Sequence, residues 1–252
     1  VAAWPWPFVL VPLLLSGALG AGFSLLPRRQ ANDIEGQFTP TGGPAKADRD
    51  LVRRHFPTDD SARFSAPRLP TEGAYAALIA VASGGGSVLE QGPWLEVLRL
   101  DRAVRDAEYG RLCARSNGSC HSPNPLLSRG ANGAPPAPHS LGFPTDSGAF
   151  LGAALGGVET SGGRVLSARA MKLVYYLRED GPGAGDSRQW LQSFLRDIPS
   201  KLRELQLRSI QVTYFTSLSR QQEFEGNTKS VIPLVSVTYF LTITFSIVSC
   251  LR

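Results

Sequence analysis

The run Val231–Leu251, VIPLVSVTYFLTITFSIVSCL, carries no charge over 21 residues. At ~1.5 Å per residue a helix of that length covers roughly 31 Å, the thickness of a bilayer's hydrocarbon core. Its β-branched stretch VTYFLTITF would also suit a strand, but strands of about 20 residues are rare in globular domains. The run predicts a transmembrane helix over 230–252.

The other end is also uncharged, VAAWPWPFVLVPLLLSGALGAGFSLLP, until Arg28. Pro5, Pro7 and Pro12 lie near its start, where a helix tolerates them best. Ser16/Gly20, Gly17/Ala21 and Ala18/Gly22 have the small-residue spacing that lets membrane helices approach closely, although lipid-facing chance gives the same pattern. A cleaved secretory signal is the competing reading. The lack of an initiator Met and of a basic leading segment, and the length of the uncharged stretch, favour a retained helix over Pro7–Leu26. The expected organisation is a first span in 1–27, an extracellular or lumenal domain in 28–229, and a second span in 230–252. A chain that lacks a starting Met and stops one residue past a helix reads as an N-terminal fragment of a longer protein.

The excess of 26 Lys+Arg over 21 Asp+Glu is spread through mixed-sign stretches such as RLDRAVRDAEYGR. With no basic block or aromatic-interleaved stripe, no nucleic-acid partner is expected. Cys113 and Cys120 flank a sequon, Asn117-Gly118-Ser119. A Cys113–Cys120 disulfide is expected, because the turn-forming Asn117-Gly118 lets the chain close, and an N-glycan is expected on Asn117; together they favour the oxidising, lumenal or extracellular side of the membrane. Cys250 would then lie at the cytosolic face, either inert or reversibly palmitoylated.

The middle segment supplies a recognisable order of elements. A helix follows Pro44, with Leu51, Val52 and His55 on one side. YAALIAVAS (75–83) suits a central strand, and PWLEVLRLDRAVRDAEYGRLCAR reads as one amphipathic helix striped by Val97, Leu100, Val104 and Ala107. Residues 116–146 read as a Pro/Gly-rich loop, followed by strands at 149–159 and 164–179 around TSGG. Asp186 and Gln189 form a capping-box pattern ahead of a helix that Pro199 should kink or split, and SIQVTYF (209–215) alternates as a last strand. The order β-α-β-β-α-β predicts an α+β, ferredoxin-like domain between two transmembrane helices.

Chemistry is sparse. His55, His121 and His139 have no metal-ligand spacing, Asp59-Asp60 reads as a solvated loop pair, and SGGGS lacks the residues of a phosphate loop. No catalytic residues, metal site or cofactor are expected, and no enzyme. Thr238, Thr242, Ser246 and Ser249 form a hydroxyl stripe on one face of the last span. They either bond back to their own helix or line a lipid or solute path.

QFTPTGGPAKADRDLVRRHF (37–56), LGGVETSGGRVLSARAMKLVYYLRED (155–180) and FTSLSRQQEFEG (215–226) together resemble the patched family. The resemblance covers nearly the whole chain and is weakest at 128–145. It implies a relative of the resistance–nodulation–division transporters, with twelve spans, two ferredoxin-like ectodomains and a sterol-sensing domain that begins at the second span. It further implies a plasma-membrane protein, ciliary or flagellar in some relatives, that moves or senses a membrane lipid or sterol, with an extracellular protein ligand as a further partner. The later spans that carry ion-coupling carboxylates in related transporters, and the second ectodomain, are outside this sequence. No transport residue carries over, and this segment alone should not transport. The alternative is a single-pass receptor or adhesion ectodomain, with 1–27 cleaved and 230–252 as its anchor.

Overall fold

The computed structural model describes residues 6–22, 40, 42–57, 59–69, 73–130, 133–179 and 183–250. The chain divides into two compact units, Val1–Asp48 and Arg49–Arg252. In chain order the described helices and strands are α1 (Trp6–Gly20), α2 (Pro44–His55), β1 (Tyr75–Ala82), α3 (Gln91–Val104), α4 (Ala107–Leu112), β2 (Arg115–Ser116), β3 (Ser119–Cys120), β4 (Thr145–Asp146), β5 (Ala149–Phe150), β6 (Leu155–Ser161), β7 (Arg164–Tyr176), α5 (Ala184–Leu205), β8 (Ile210–Thr216) and α6 (Ser219–Cys250).

The first unit holds α1 and the start of α2. The 15 residues of α1 include Pro12, and the large apolar side chains described along it are exposed. The expected span Pro7–Leu26 is helical to Gly20, and its residues 23–26 lie outside the described ones.

The second unit is α+β, built on a four-stranded sheet in the order β6-β7-β1-β8, with every neighbouring pair antiparallel. β1 lies inside the sheet, and its Ala76, Leu78 and Ala80 are fully buried. Register aligns them with Tyr175, Leu173 and Met171 of β7 and with Thr216, Tyr214 and Val212 of β8. Trp94, Val97, Leu100 and Val104 of α3, and Trp190, Leu191, Phe194 and Ile198 of α5, join the same cluster. A large buried side chain of this kind contributes about 1.5–3 kcal/mol.

The helix expected from Pro93 onward is two helices. Asp106 interrupts it by accepting the Tyr109 N–H at 2.8 Å, an N-cap that starts α4 and leaves Ala107 exposed at its first position. The capping box at Asp186 is not formed. α5 begins at Ala184 behind Gly183, which puts Asp186 in the first turn, where its charge favours the helix N-terminus. α5 also runs unbroken through Pro199. Ile198 before the proline is buried, and Leu202 and Leu205 beyond it pack on the core, which offsets the one backbone bond lost. The strand expected at 149–159 is split: Ala149–Phe150 pair with β4 as β5, Leu151–Ala153 form a tight turn that buries Leu151, and β6 starts at Leu155. Gly162 and Gly163, at φ 57° and 74°, make the two-residue turn into β7.

β7 has 13 residues against the 7 of β6, and β6 pairs with it only from Arg164 to Met171, so the outer edge of 172–176 needs another partner. Segment 112–124 supplies it. Val174 N–H donates to Pro123 C=O, Ala114 N–H to Tyr176 C=O, and Arg178 N–H to Leu112 C=O, each at 2.9 Å. Asn124 locks this arrangement: its Nδ2 donates to Lys172 C=O (2.9 Å) and Ala154 C=O (3.2 Å), while its Oδ1 accepts from Leu126 N–H (2.9 Å). The stretch expected as a core-free loop instead buries Leu126, Leu127 and Leu141.

Candidate functional site

Three features stand out: a disulfide-closed hairpin, the root of the last helix, and that helix itself.

β2 and β3 form a hairpin in which Arg115 pairs with Cys120 and Ser116 with Ser119. Asn117 and Gly118, at φ 53° and 81°, are its two turn residues, and both are exposed. Asn-Gly is the favoured pair where both central residues need left-handed backbone. Cys113 and Cys120 are joined in a disulfide with Cα atoms 5.5 Å apart, and Cys113 is fully buried. The hairpin docks on residues 60–64: Arg115 N–H donates to Asp60 C=O (2.8 Å), Asn117 N–H to Ala62 C=O (3.2 Å) and Ser116 Oγ to Phe64 C=O (2.7 Å). His121 follows, its ring edge-on to Phe64 and to Tyr176 with centroids 5.1 and 5.9 Å away. Burial holds its imidazole below the usual histidine range.

At the root of α6, β8 ends at Thr216 and only two residues precede Ser219. Thr216 Oγ1 accepts the Leu218 N–H, Ser219 Oγ accepts the Thr216 N–H, and Ser217 exchanges backbone and side-chain bonds with Tyr75. A cavity of about 260 Å³ opens here, lined by Ala74, Glu179, Ala184, Arg188, Leu191, Ser217 and Leu218. Burial, and then the charge of Asp60, raise the Glu179 carboxyl above its ordinary value, with Arg53 acting against them. The Asp60 carboxylate accepts the Glu179 N–H at 3.1 Å and is buried, so the expectation of a solvated Asp59-Asp60 pair holds for Asp59 alone. Nothing in the sequence pattern brings Asp60 to Glu179, 119 residues apart.

α6 is 32 residues long, roughly 48 Å. Its segment Ser230–Ser249, with mean hydropathy 2.0, is long and apolar enough to cross a membrane, and none of that window is buried within the protein. Within the hydroxyl stripe, Thr238 Oγ1 donates to Leu234 C=O, Thr242 Oγ1 to Thr238 C=O and Ser246 Oγ to Thr242 C=O, at 2.8–2.9 Å. Back-bonding of this kind satisfies a hydroxyl in an apolar medium without an external partner. Ser249 continues the exposed face. The side chain of Cys250 lies outside the described residues.

His55 on α2 and His139 in the turn Pro138–Ser140 are exposed and belong to separate elements from His121. Among the described residues no group of three or more His, Cys, Asp or Glu is placed to hold a metal. Compared with the models of known protein families, the chain matches none.

Proposed function

We propose that this chain is the first ectodomain, with its flanking membrane segments, of a patched-like multi-pass protein that senses or moves a membrane lipid or sterol, with an extracellular protein ligand as a further partner. The observation that carries this reading is the join at Thr216–Ser219, where the last sheet strand passes through two residues into a helix with a 20-residue apolar end. A domain held that tightly has its sheet coupled to what the helix meets in the bilayer.

Two further facts support the reading. Numbered by themselves in chain order, the four long strands lie 2-3-1-4 and are all antiparallel, which is what a ferredoxin-like pair of split βαβ units requires. The motifs of the resemblance also fall on structural joints: 155–180 covers the β6–β7 hairpin and 215–226 the β8–α6 root. In this reading 230–252 opens a sterol-sensing unit, the protein resides in the plasma membrane or a ciliary or flagellar extension of it, and no catalytic step is assigned.

A single-pass receptor or adhesion ectodomain, with 1–27 cleaved and 230–252 as its anchor, is favoured by one observation: among the described residues one helix, at Ser230–Ser249, is long and apolar enough to cross a membrane. The lipid role is tested by irradiating a photoreactive sterol in membranes containing the chain. Labelling within 230–249 that unlabelled sterol competes away is the expected result. Equal labelling by a photoreactive phospholipid, without competition by sterol, would overturn it.

A further inference from the structure

The sequon and the disulfide share one small hairpin, and their geometries conflict. Glycan transfer needs the Asn117 amide nitrogen inside an enzyme cleft, with free chain on both sides. In the closed hairpin Asn117 occupies a two-residue left-handed turn, and its N–H is given to Ala62. Ser119 Oγ, the sequon hydroxyl, is engaged within the hairpin, donating to Ser116 C=O at 3.3 Å. The flanks are held by Arg115 N–H on Asp60 and Ser116 Oγ on Phe64, and the base by the buried Cys113 sulfur. Closing so short a loop has a small entropic cost, so the hairpin forms early once oxidant is present.

The geometry points to a race: Asn117 accepts a glycan only before Cys113 and Cys120 join, and disulfide closure sets the fraction of chains modified. This rests on the proposed placement of the domain on the oxidising side. In the first reaction the Asn117 amide nitrogen bonds to the anomeric carbon of an oligosaccharide. That carbon's bond to a lipid-linked pyrophosphate breaks, and the lipid pyrophosphate leaves with the amide proton taken up by solvent. In the second, the two thiols lose two protons, and two electrons pass to a disulfide-carrying oxidant through a mixed disulfide.

The test expresses the full chain in microsomes or secretory cells and reads occupancy from the mobility step removed by endoglycosidase. Wild type is expected to show both bands, and Cys120→Ser to shift the chain into the slower one. Asn124→Ala loosens the same segment but keeps both cysteines, and it is expected to stay at the wild-type ratio. Equal occupancy in wild type and Cys120→Ser, a fully modified wild type, or an Asn124→Ala chain shifted as far as Cys120→Ser would each overturn the race. Glu159→Asn in an Asn117→Gln background completes a sequon with Thr160 and Ser161 on an exposed strand. A glycan there shows the domain to be lumenal whatever Asn117 does; digestion of the domain by protease added to sealed microsomes removes the placement itself.

Discussion

Replacing Asn124 is the sharpest probe of how segment 112–124 extends the sheet. The side chain is 1% exposed and makes three bonds, two as donor and one as acceptor. In Asn124→Ala the Ala154 carbonyl keeps the Lys172 N–H, but the Lys172 carbonyl and the buried Leu126 N–H lose their partners. One buried and one half-buried orphan at about 1–3 kcal/mol each give a loss of about 2–4 kcal/mol, the half-buried carbonyl recovering part of its share from water. Asn124→Asp is nearly isosteric and keeps the acceptor for Leu126, yet it aims a carboxylate at two carbonyl oxygens. At pH 7 it should destabilise more than alanine does. Its folded carboxyl pKa would lie above the unfolded value, so the deficit is absent in acid and grows as pH rises through that range. Denaturant unfolding of the detergent-solubilised chain, followed by the fluorescence of buried Trp94 and Trp190, reports the midpoint shift at constant slope. An alanine variant within about 0.5 kcal/mol of wild type, or an aspartate variant equal to wild type at pH 7, would refute the anchoring role.

Other outcomes follow from the same structure. Cys113→Ser should cost about 2.4 kcal/mol for a loop with a sequence separation of 7, and reductant should cost the wild type a similar amount by denaturant titration. In Gly130→Ala the new Cβ would lie 2.1 Å from Cζ2 of fully buried Trp94, so a loss of about 1–3 kcal/mol and a shifted tryptophan emission are expected. His121 is held below its ordinary value of 6.5, so the unfolded chain takes up its proton first. Stability should fall as pH drops below about 6.5 and level off under the folded value, and His121→Phe should remove that component from the pH profile. Thr242→Val should leave membrane insertion unchanged or slightly improved in a glycosylation-mapping assay, because its hydroxyl bonds only to its own helix.

The strands and helices of the sheet layer were legible because their periodicity is local. YAALIAVAS marks β1, the paired glycines mark the β6–β7 turn, and SIQVTYF marks β8. Asn117-Gly118 likewise announces a hairpin between its cysteines. What stayed hidden depends on contacts far apart in sequence. Asn124 sits among prolines and serines with no period, and only its 48-residue reach to Lys172 reveals its role. Glu96 is similar: its carboxylate accepts the N–H groups of Arg208, Ser209 and Ile210, steering the chain into β8 from 112–114 residues away. The break at Asp106 had a local signal, an aspartate three residues before Tyr109, but the continuing apolar stripe masked it. Pro199 misled in the opposite direction, since packing on both sides of it carried the helix through.

The central claim, a domain slung between two membrane segments, is tested most directly by an epitope tag placed before Val1 and read by protease protection in sealed microsomes. The proposed reading predicts that the tag stays on the chain and lies on the cytosolic side, digested by added protease while the domain is protected. A tag cleaved from the chain on translocation would contradict it and leave the single-pass reading.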